Sequence, residues 1–309
     1  AGLPDGVFNV VQGDKESVDV LLTDPRVQAV SFRRLRPPTS ELHYRRVRPR
    51  KRCQALGGAK KPLYSHAGCR MEMAANAIMG AGFGAAGSAA CALVVLAVGD
   101  KTADDLCARL EKQIAALRVG PGLDQTPENE MGPLISSAHR SKVLGYIDSG
   151  EAQGATLRVD GRSFSVQGHE QGYFVGPTLF DNVTPEMTIY KEEIFGPVLS
   201  VVRVADYASA VELINRHEYG NGSAIFTRDG GCARRFCEEV QAGMVGVNVP
   251  IPVPMAFHSF GGWKRSIFGA LNVHGNDGVR FYTRMKTITA RWPEMQQETG
   301  AAFSMPTLG

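Results

Sequence analysis

Glu193-Ile194-Phe195-Gly196-Pro197 sets a carboxylate and an aromatic ring two residues apart, between a helix-like stretch and the apolar run Val198 to Val202. On an extended segment, side chains two apart project to one face. A carboxylate so placed can hold two ribose hydroxyls while the ring packs on a nicotinamide. The same pair also reads as a surface acid beside a core phenylalanine. Gly243 to Pro254 carries Pro250, Pro252 and Pro254 at alternate positions. Proline fixes φ and removes a backbone donor. That segment is therefore a rigid extended loop or a sheet edge, suited either to the wall of a substrate tunnel or to a structural crossing. Gln54 to Lys60 contains the pair Gly57-Gly58, which permits close backbone approach. The six cysteines (Cys53, Cys69, Cys91, Cys107, Cys232, Cys237) form no CxxC pair and no metal-ligand spacing, so no metal site is expected. They read as reduced thiols.

These groups need elements to carry them. Val7 to Gln12 and Val27 to Phe32 read as strands, with a helix over Lys15 to Thr23 between them. That is the start of a parallel α/β layer. Two strands do not form a stable sheet, so the chain is expected to begin inside a domain. Leu93 to Val98 reads as a buried strand. Thr102 to Leu117 reads as an amphipathic helix with Leu106, Leu110, Ile114 and Leu117 on one face and a capping box from Thr102 and Asp105. A helix over Ala208 to Ile214, a strand over Gly243 to Val249 and a late strand within Tyr282 to Trp292 complete the alternation. There are no internal repeats.

The chain has 309 residues, enough for about two domains with an ordinary core. Its formal net charge is +3, with nine cations crowded between Arg33 and Arg52. No nucleic-acid module accompanies that run, and no nucleic-acid partner is expected. The longest apolar run, Ala89 to Val98, is too short to span a bilayer. The first residues lack the pattern of a signal peptide. A cytoplasmic protein is expected, or a mitochondrial matrix protein in a eukaryote.

Taken in order, Ala1 to Pro4, Asn9-Val10-Val11, Leu56-Gly57-Gly58, Glu193 to Pro197 and Phe260-Gly261-Gly262-Trp263-Lys264-Arg265-Ser266 resemble successive landmarks of the aldehyde dehydrogenase superfamily. Phe83-Gly84-Ala85-Ala86-Gly87 and Gly246 to Pro254 resemble its CoA-acylating, methylmalonate-semialdehyde branch. The resemblance covers nearly the whole chain and implies a missing N-terminal piece. It also implies an α/β aldehyde dehydrogenase fold. Residues 1–58 would be the C-terminal part of a Rossmann-like NAD domain and 59–278 an α/β catalytic domain. Residues 279–295 would be an oligomerisation strand and 296–309 a tail. NAD is the implied cofactor, CoA the co-substrate, and malonate or methylmalonate semialdehyde the substrate. A homo-oligomer such as a homotetramer is the implied assembly. Glu193 and Phe195 would hold the nicotinamide ribose. A cysteine thiolate would attack the aldehyde, and the resulting acyl thioester would pass to CoA. Hydrolytic relatives carry a glutamate directly before Leu-Gly-Gly to activate water. Ala55 stands there, which favours the acylating branch.

Three windows depart from the family, and register resumes after each. The branch reads Gly-Gln-Arg-Cys-Met where this chain reads Gly87-Ser88-Ala89-Ala90-Cys91. The nucleophile position is therefore Ala90, the substrate-binding arginine falls on Ala89, and Cys91 is the neighbouring thiol. A Gly-Ser pair lining the NAD site falls on Arg34 and Leu35. The third window is Lys61 to Arg70. Each window reads as a frameshift. Written AGC GCT GCA TGC with a C restored in front, Ser88 to Cys91 becomes Gln-Arg-Cys-Met. Written CGT CGG CTC and read one base later, Arg33 to Leu35 begins Val-Gly-Ser. With suitable codons, Lys61 to Cys69 gives Asn-His-Cys-Ile-Val-Met-Pro-Asp-Ala. The basic run is then an accident of GC-rich codons. If the printed residues are real, a thiol displaced by one position points elsewhere, and the chain would be an impaired remnant that keeps only assembly. The prediction is that resequencing the DNA across the three windows shows displaced frames; a clean read encoding the printed residues refutes it.

Overall fold

A computed structural model of the chain describes residues 2–33, 37–66, 68–87, 93–122 and 128–292. The first part runs α1 (Lys15–Thr23), β1 (Ala29–Arg33), α2 (Pro37–Val47) and β2 (Arg52–Leu56). Strands β1 and β2 pair in parallel, Phe32 opposite Ala55. Then follow β3 (Lys61–Ser65), α3 (Met71–Phe83), a 3-10 turn (Gly84–Gly87), β4 (Leu93–Val98), α4 (Gly99–Ala116) and α5 (Ser137–Ala152). The remainder is β5 (Thr156–Val159), β6 (Thr178–Asp181), α6 (Thr188–Lys191), β7 (Val198–Val204), α7 (Tyr207–Arg216), β8 (Tyr219–Gly220), β9 (Ser223–Phe226), α8 (Gly230–Glu239), β10 (Val245–Val247), β11 (Trp263–Lys264), β12 (Ile267–Phe268) and α9 (Gly275–Tyr282).

The main sheet has the order β10-β9-β3-β4-β7-β6-β5. All its pairs are parallel except the edge pair β5–β6. Helices cover a parallel sheet on both faces, so its central strands are apolar throughout. Leu93-Val94-Val95-Leu96-Ala97-Val98 meets that demand and sits at the centre, between β3 and β7. α4 lays Leu106, Cys107, Leu110 and Ile114 onto the core. α3 presents Ala74, Ala75 and Ile78, all fully buried, so its backbone approaches closely. Side chains of Asp14, Ser136, Asp206 and Asp229 cap α1, α5, α7 and α8 by accepting backbone N–H bonds.

A second sheet has the order β1-β2-β12. β12 returns from near the end of the chain to pair antiparallel with β2, Ile267 opposite Leu56 and Phe268 opposite Ala55. The divided sheets meet at residues 57–60. Lys61 and Pro62 open a central strand, an unfavourable place for both. Proline is accommodated because its carbonyl accepts from the Ser223 hydroxyl at 2.8 Å, one residue ahead of the first β3–β9 pair, Leu63 with Ala224. A residue's N–H and C=O point to the same side of a strand. The missing donor therefore costs no ladder bond.

Three sequence expectations are corrected. Val7 to Gln12 is not a strand, and Phe8 and Val11 are largely exposed, because no strand edge pairs with them among the described residues. α4 begins at Gly99 rather than Thr102; Thr102 and Asp105 lie inside it, and Asp105 instead accepts from Arg109 at 2.9 Å. Residues 283–292 form no strand. They run exposed, Met285 at 96% and Trp292 at 90%, since a strand needs a partner edge and this single chain offers none among the described residues. Residues 296–309 of the expected tail lie outside the described residues. No helix among the described residues is long and apolar enough to cross a membrane.

One buried carboxylate ties helix to sheet. Asp181 on β6 accepts from Arg203 on β7 at 3.1 and 2.7 Å, and Arg203 reaches on to Asp100 and Asp104 of α4. Arg203 is 21% exposed and keeps Asp100 and Asp104 when Asp181 is removed, so the loss is that of a charge-assisted hydrogen bond and not of a stranded charge. Asp181→Ala is expected to lower the unfolding free energy by about 1.5 kcal/mol, as read by urea denaturation.

Candidate active site

The segment Glu193 to Pro197 leaves α6 and enters β7 as a turn. Phe195 has φ +59°, so the acid and the ring are not placed by strand alternation as the spacing suggested. A non-glycine residue in the left-handed region needs support from its surroundings. α5 supplies it with one stripe of side chains. His139 lies 6.2 Å from the Phe195 ring, centroid to centroid, with the backbone of Phe195 and Ile194 beside its imidazole. A Cβ on Gly196 would come within 2.6 Å of Val143. The Tyr146 hydroxyl donates to Glu192 Oε2 at 2.6 Å. Positions 139, 143 and 146 share one face of a helix. Ser136 caps that helix by accepting the His139 N–H at 3.2 Å, which sets its first turn. Burial lowers the His139 pKa, so the ring packs as a neutral imidazole.

The other side of the turn is backbone. Gly87 has φ +76°, and a Cβ there would overlap the Gly196 carbonyl. Gly87 itself therefore lies directly against Gly196 of the turn, and the sequence from Gly87 to β4 follows it. That stretch carries Ala90, the expected nucleophile position, and Cys91; both lie outside the described residues, as does Leu35. Among the described thiols, burial pushes Cys53 up to about 11 and Cys107 up to about 12, and it also raises Cys232. Those groups are poor thiolate sources at neutral pH. Among the described residues no cluster of His, Cys, Asp or Glu could hold a metal ion.

Under the turn lies a buried polar layer. Lys60 is 2% exposed, and its Nζ donates to the carbonyls of Ile189 at 2.6 Å and Glu192 at 2.7 Å. Burial pushes its amine down to about 7, against the opposing pull of Glu193 and Glu192. His217 accepts the Tyr219 N–H on Nδ1 at 3.1 Å, which leaves Nε2 to donate toward the Tyr190 carbonyl at 3.4 Å. Lys264 donates to the carbonyls of Ile214, Asn215 and His217 and so closes the C-terminal end of α7.

The Leu56-Gly57-Gly58 corner is packed without room for side chains. A Cβ on Gly57 would overlap the Arg265 carbonyl, and one on Gly58 would meet the Tyr219 ring at 2.9 Å. The Gly57 N–H donates to Ser266 O at 2.9 Å, and the Gly220 N–H donates to Ser266 Oγ at 3.2 Å. The loop Phe260 to Ser266 is thereby stitched to the corner after β2 and to β8, which pairs antiparallel with β11. A cavity of about 130 Å³ lies between loop and corner, lined among others by Leu56 to Ala59, Phe260 and His274; no acidic side chain lines it among the described residues. Ala55 is fully buried in β2. The proline-rich segment is an irregular loop anchored by Asn248, at φ +57°. The Asn248 side chain accepts the Thr227 N–H at 3.0 Å and donates to the Thr227 carbonyl at 3.1 Å.

Residues 1–288 match the aldehyde dehydrogenase family. The chain belongs to that family. A malonate-semialdehyde dehydrogenase of Pseudomonas aeruginosa is 55% identical over 309 residues, all of this chain and 62% of its own length. The crystal structure of a methylmalonate-semialdehyde dehydrogenase from Oceanimonas doudoroffii superposes with a TM-score of 0.90 at 56% identity, over 95% of this chain and 60% of that one. The Mycobacterium tuberculosis aldehyde dehydrogenase complexed with NAD+ gives 0.82 at 30% identity, over 91% and 56%. This aldehyde dehydrogenase chain thus spans about 60% of the length of the relatives it matches.

Sequence reasoning singled out Glu193, Phe195 and the Gly57-Gly58 corner, and the structure brings Glu193 and Phe195 into one turn above Lys60. It did not find His139, Val143 or Tyr146, whose spacing was the available signal, nor His217. The folded His217 imidazole is pushed down to about 4, chiefly by burial, with Lys60 and Lys264 adding to the shift. Its unfolded value is about 6.5. Between those values the unfolded chain binds the extra proton, so stability is lost as pH falls from about 6.5 toward 4. Replacing His217 with Gln should flatten that part of the urea-unfolding profile by up to about 3 kcal/mol. An unchanged acid limb would contradict it.

Proposed function

We propose that this chain carries out NAD-dependent oxidation of malonate or methylmalonate semialdehyde, with acyl transfer to CoA. The observation that carries the reading is the Glu193–Phe195 turn seated on Gly87, immediately before the stretch that holds Cys91. The donor set fits a nicotinamide riboside: a carboxylate for ribose hydroxyls and a phenyl ring fixed in a supported turn. When bound, NAD accepts the hydride of the substrate. The chain's own groups do the rest. In this reading the nucleophile is Cys91, the thiol next in sequence to the family position Ala90. Its sulfur adds to the aldehyde carbon; loss of hydride leaves an acyl thioester, and the CoA thiolate displaces the sulfur. The substrate carboxylate leaves as CO₂, the bond pair passes into the thioester enolate, and the α-carbon takes a proton from water, giving acetyl- or propionyl-CoA. Ala55 puts no carboxylate directly before Leu56-Gly57-Gly58, where hydrolytic relatives carry a glutamate to activate water, and this favours a thiol acceptor.

In this reading residues 1–58 complete an NAD domain, 59–278 form the catalytic domain, and the exposed segment within 279–295 joins a second copy. Ile288 and Trp292 supply its apolar contacts. The working location is the cytoplasm.

The purified chain is assayed for NADH release with malonate semialdehyde and CoA. Turnover that needs CoA, yields a thioester and falls by about 10³-fold or more in Cys91→Ala is expected. Free acid as product would indicate hydrolytic chemistry instead. Folded protein that releases no NADH would leave an inactive assembly module.

A further inference from the structure

Lys60 is a buried cation with no role in the chemistry above. We propose that Lys60 is a positioning residue for the nicotinamide ribose: fixed between the carbonyls of Ile189 and Glu192, its amine holds Glu193 and Phe195 in register. The proposal rests on reading Glu193 and Phe195 as the nicotinamide grip.

α6 is four residues long, too short to hold its own conformation. The carbonyls at its C-terminal end need donors from outside the helix. Nζ of Lys60 supplies both bonds, at 2.6 and 2.7 Å, from a side chain 2% exposed. The second acceptor, Glu192, directly precedes Glu193. A shift of that carbonyl is passed straight to the ribose-binding carboxylate. α5 grips Phe195 and Gly196 from one side, and Lys60 fixes the entry to the same turn from beneath. Lys60 also follows Gly57-Gly58-Ala59, so it links the corner lined by the Phe260 to Ser266 loop with the Glu193 turn. Methionine would fill the same space without the cost of burying an amine. It would leave two carbonyls undonated.

The groups facing Lys60 are Glu192 and Glu193 from the turn and His217 from the end of α7. Lys264 of β11 lies beyond His217, and Lys61 follows on the same strand. The docked amine sits near 7 and a free one near 10.5. The docked state therefore binds fewer protons between those values, and docking tightens as pH rises through that window.

The test is hydrogen exchange by mass spectrometry on the full 309-residue chain, corrected for intrinsic rates. In Lys60→Met, amides at 187–197 are expected to exchange at least about tenfold faster, while β4 and β7 keep their protection. Wild-type exchange at 187–197, or loosening spread evenly through β4 and β7, overturns the proposal. If Lys60→Met does not fold, the wild-type chain decides. Its protection at 187–197 should rise at least about threefold from pH 7 to 9, and Lys60→Arg, which keeps its proton, should lose that rise. A flat wild-type profile overturns the proposal. NADH fluorescence titration supplies the functional half, with Kd expected to rise about tenfold or more in Lys60→Met. An unchanged Kd despite a loosened turn refutes positioning. A wild-type chain that binds no NADH sinks the cofactor reading itself, separately from the exchange result.

Discussion

The site is organised around a contact between two stretches of backbone. Gly87 ends the 3-10 turn at φ +76° and lies flat against the Gly196 carbonyl, where any side chain would collide. This fixes the end of the 3-10 turn against the segment that carries Phe195. Phe195 holds a left-handed conformation that costs of order 1 kcal/mol or more and lasts only under constraint from neighbours. His139, Val143 and Tyr146 supply the constraint from a single helical stripe. Rigid secondary structure thus positions a turn that could not hold itself, as preorganised binding requires.

Beneath the turn, short and ending helices are closed by lysines rather than by glycine caps. Lys60 satisfies two carbonyls at the end of α6, and Lys264 satisfies three at the end of α7. Helix ends buried in protein must find donors. A long side chain with three N–H groups serves several acceptors at once. The cost is a layer of depressed pKa values, His217 at about 4 and Lys60 at about 7, with Lys60 in the field of Glu193. The electrostatics of the turn therefore belong to its packing.

Much of the fold was legible because its signals are local. The unbroken apolar run Leu93 to Val98 marks a central parallel strand, and Leu106, Leu110 and Ile114 mark the face of α4. Strands expected at Val7–Gln12 and within Tyr282–Trp292 failed because pairing depends on an edge that the segment itself does not encode. The start of α4 was misplaced because Thr102 and Asp105 match a cap pattern while the chain turns earlier, at Gly99. At the candidate site, the residue types at 193 and 195 singled out one turn, but the extended geometry inferred from their spacing was wrong. Sequence separation explains what was missed. Nothing near Lys60 reveals Ile189 and Glu192, and nothing near Gly87 reveals Gly196.

The loop from Phe260 to Ser266 crosses between the sheets before β12 pairs with β2, some two hundred residues earlier in the chain. The β1-β2-β12 sheet therefore lacks one of its strands until Ile267 and Phe268 have emerged from the ribosome. Local contacts can assemble early during synthesis, whereas a closure of this span must wait. The corner that carries Gly57 and Gly58 should thus be among the last parts of the molecule to mature. A nascent chain arrested short of Phe268 would expose the β2 edge as a surface open to chaperones.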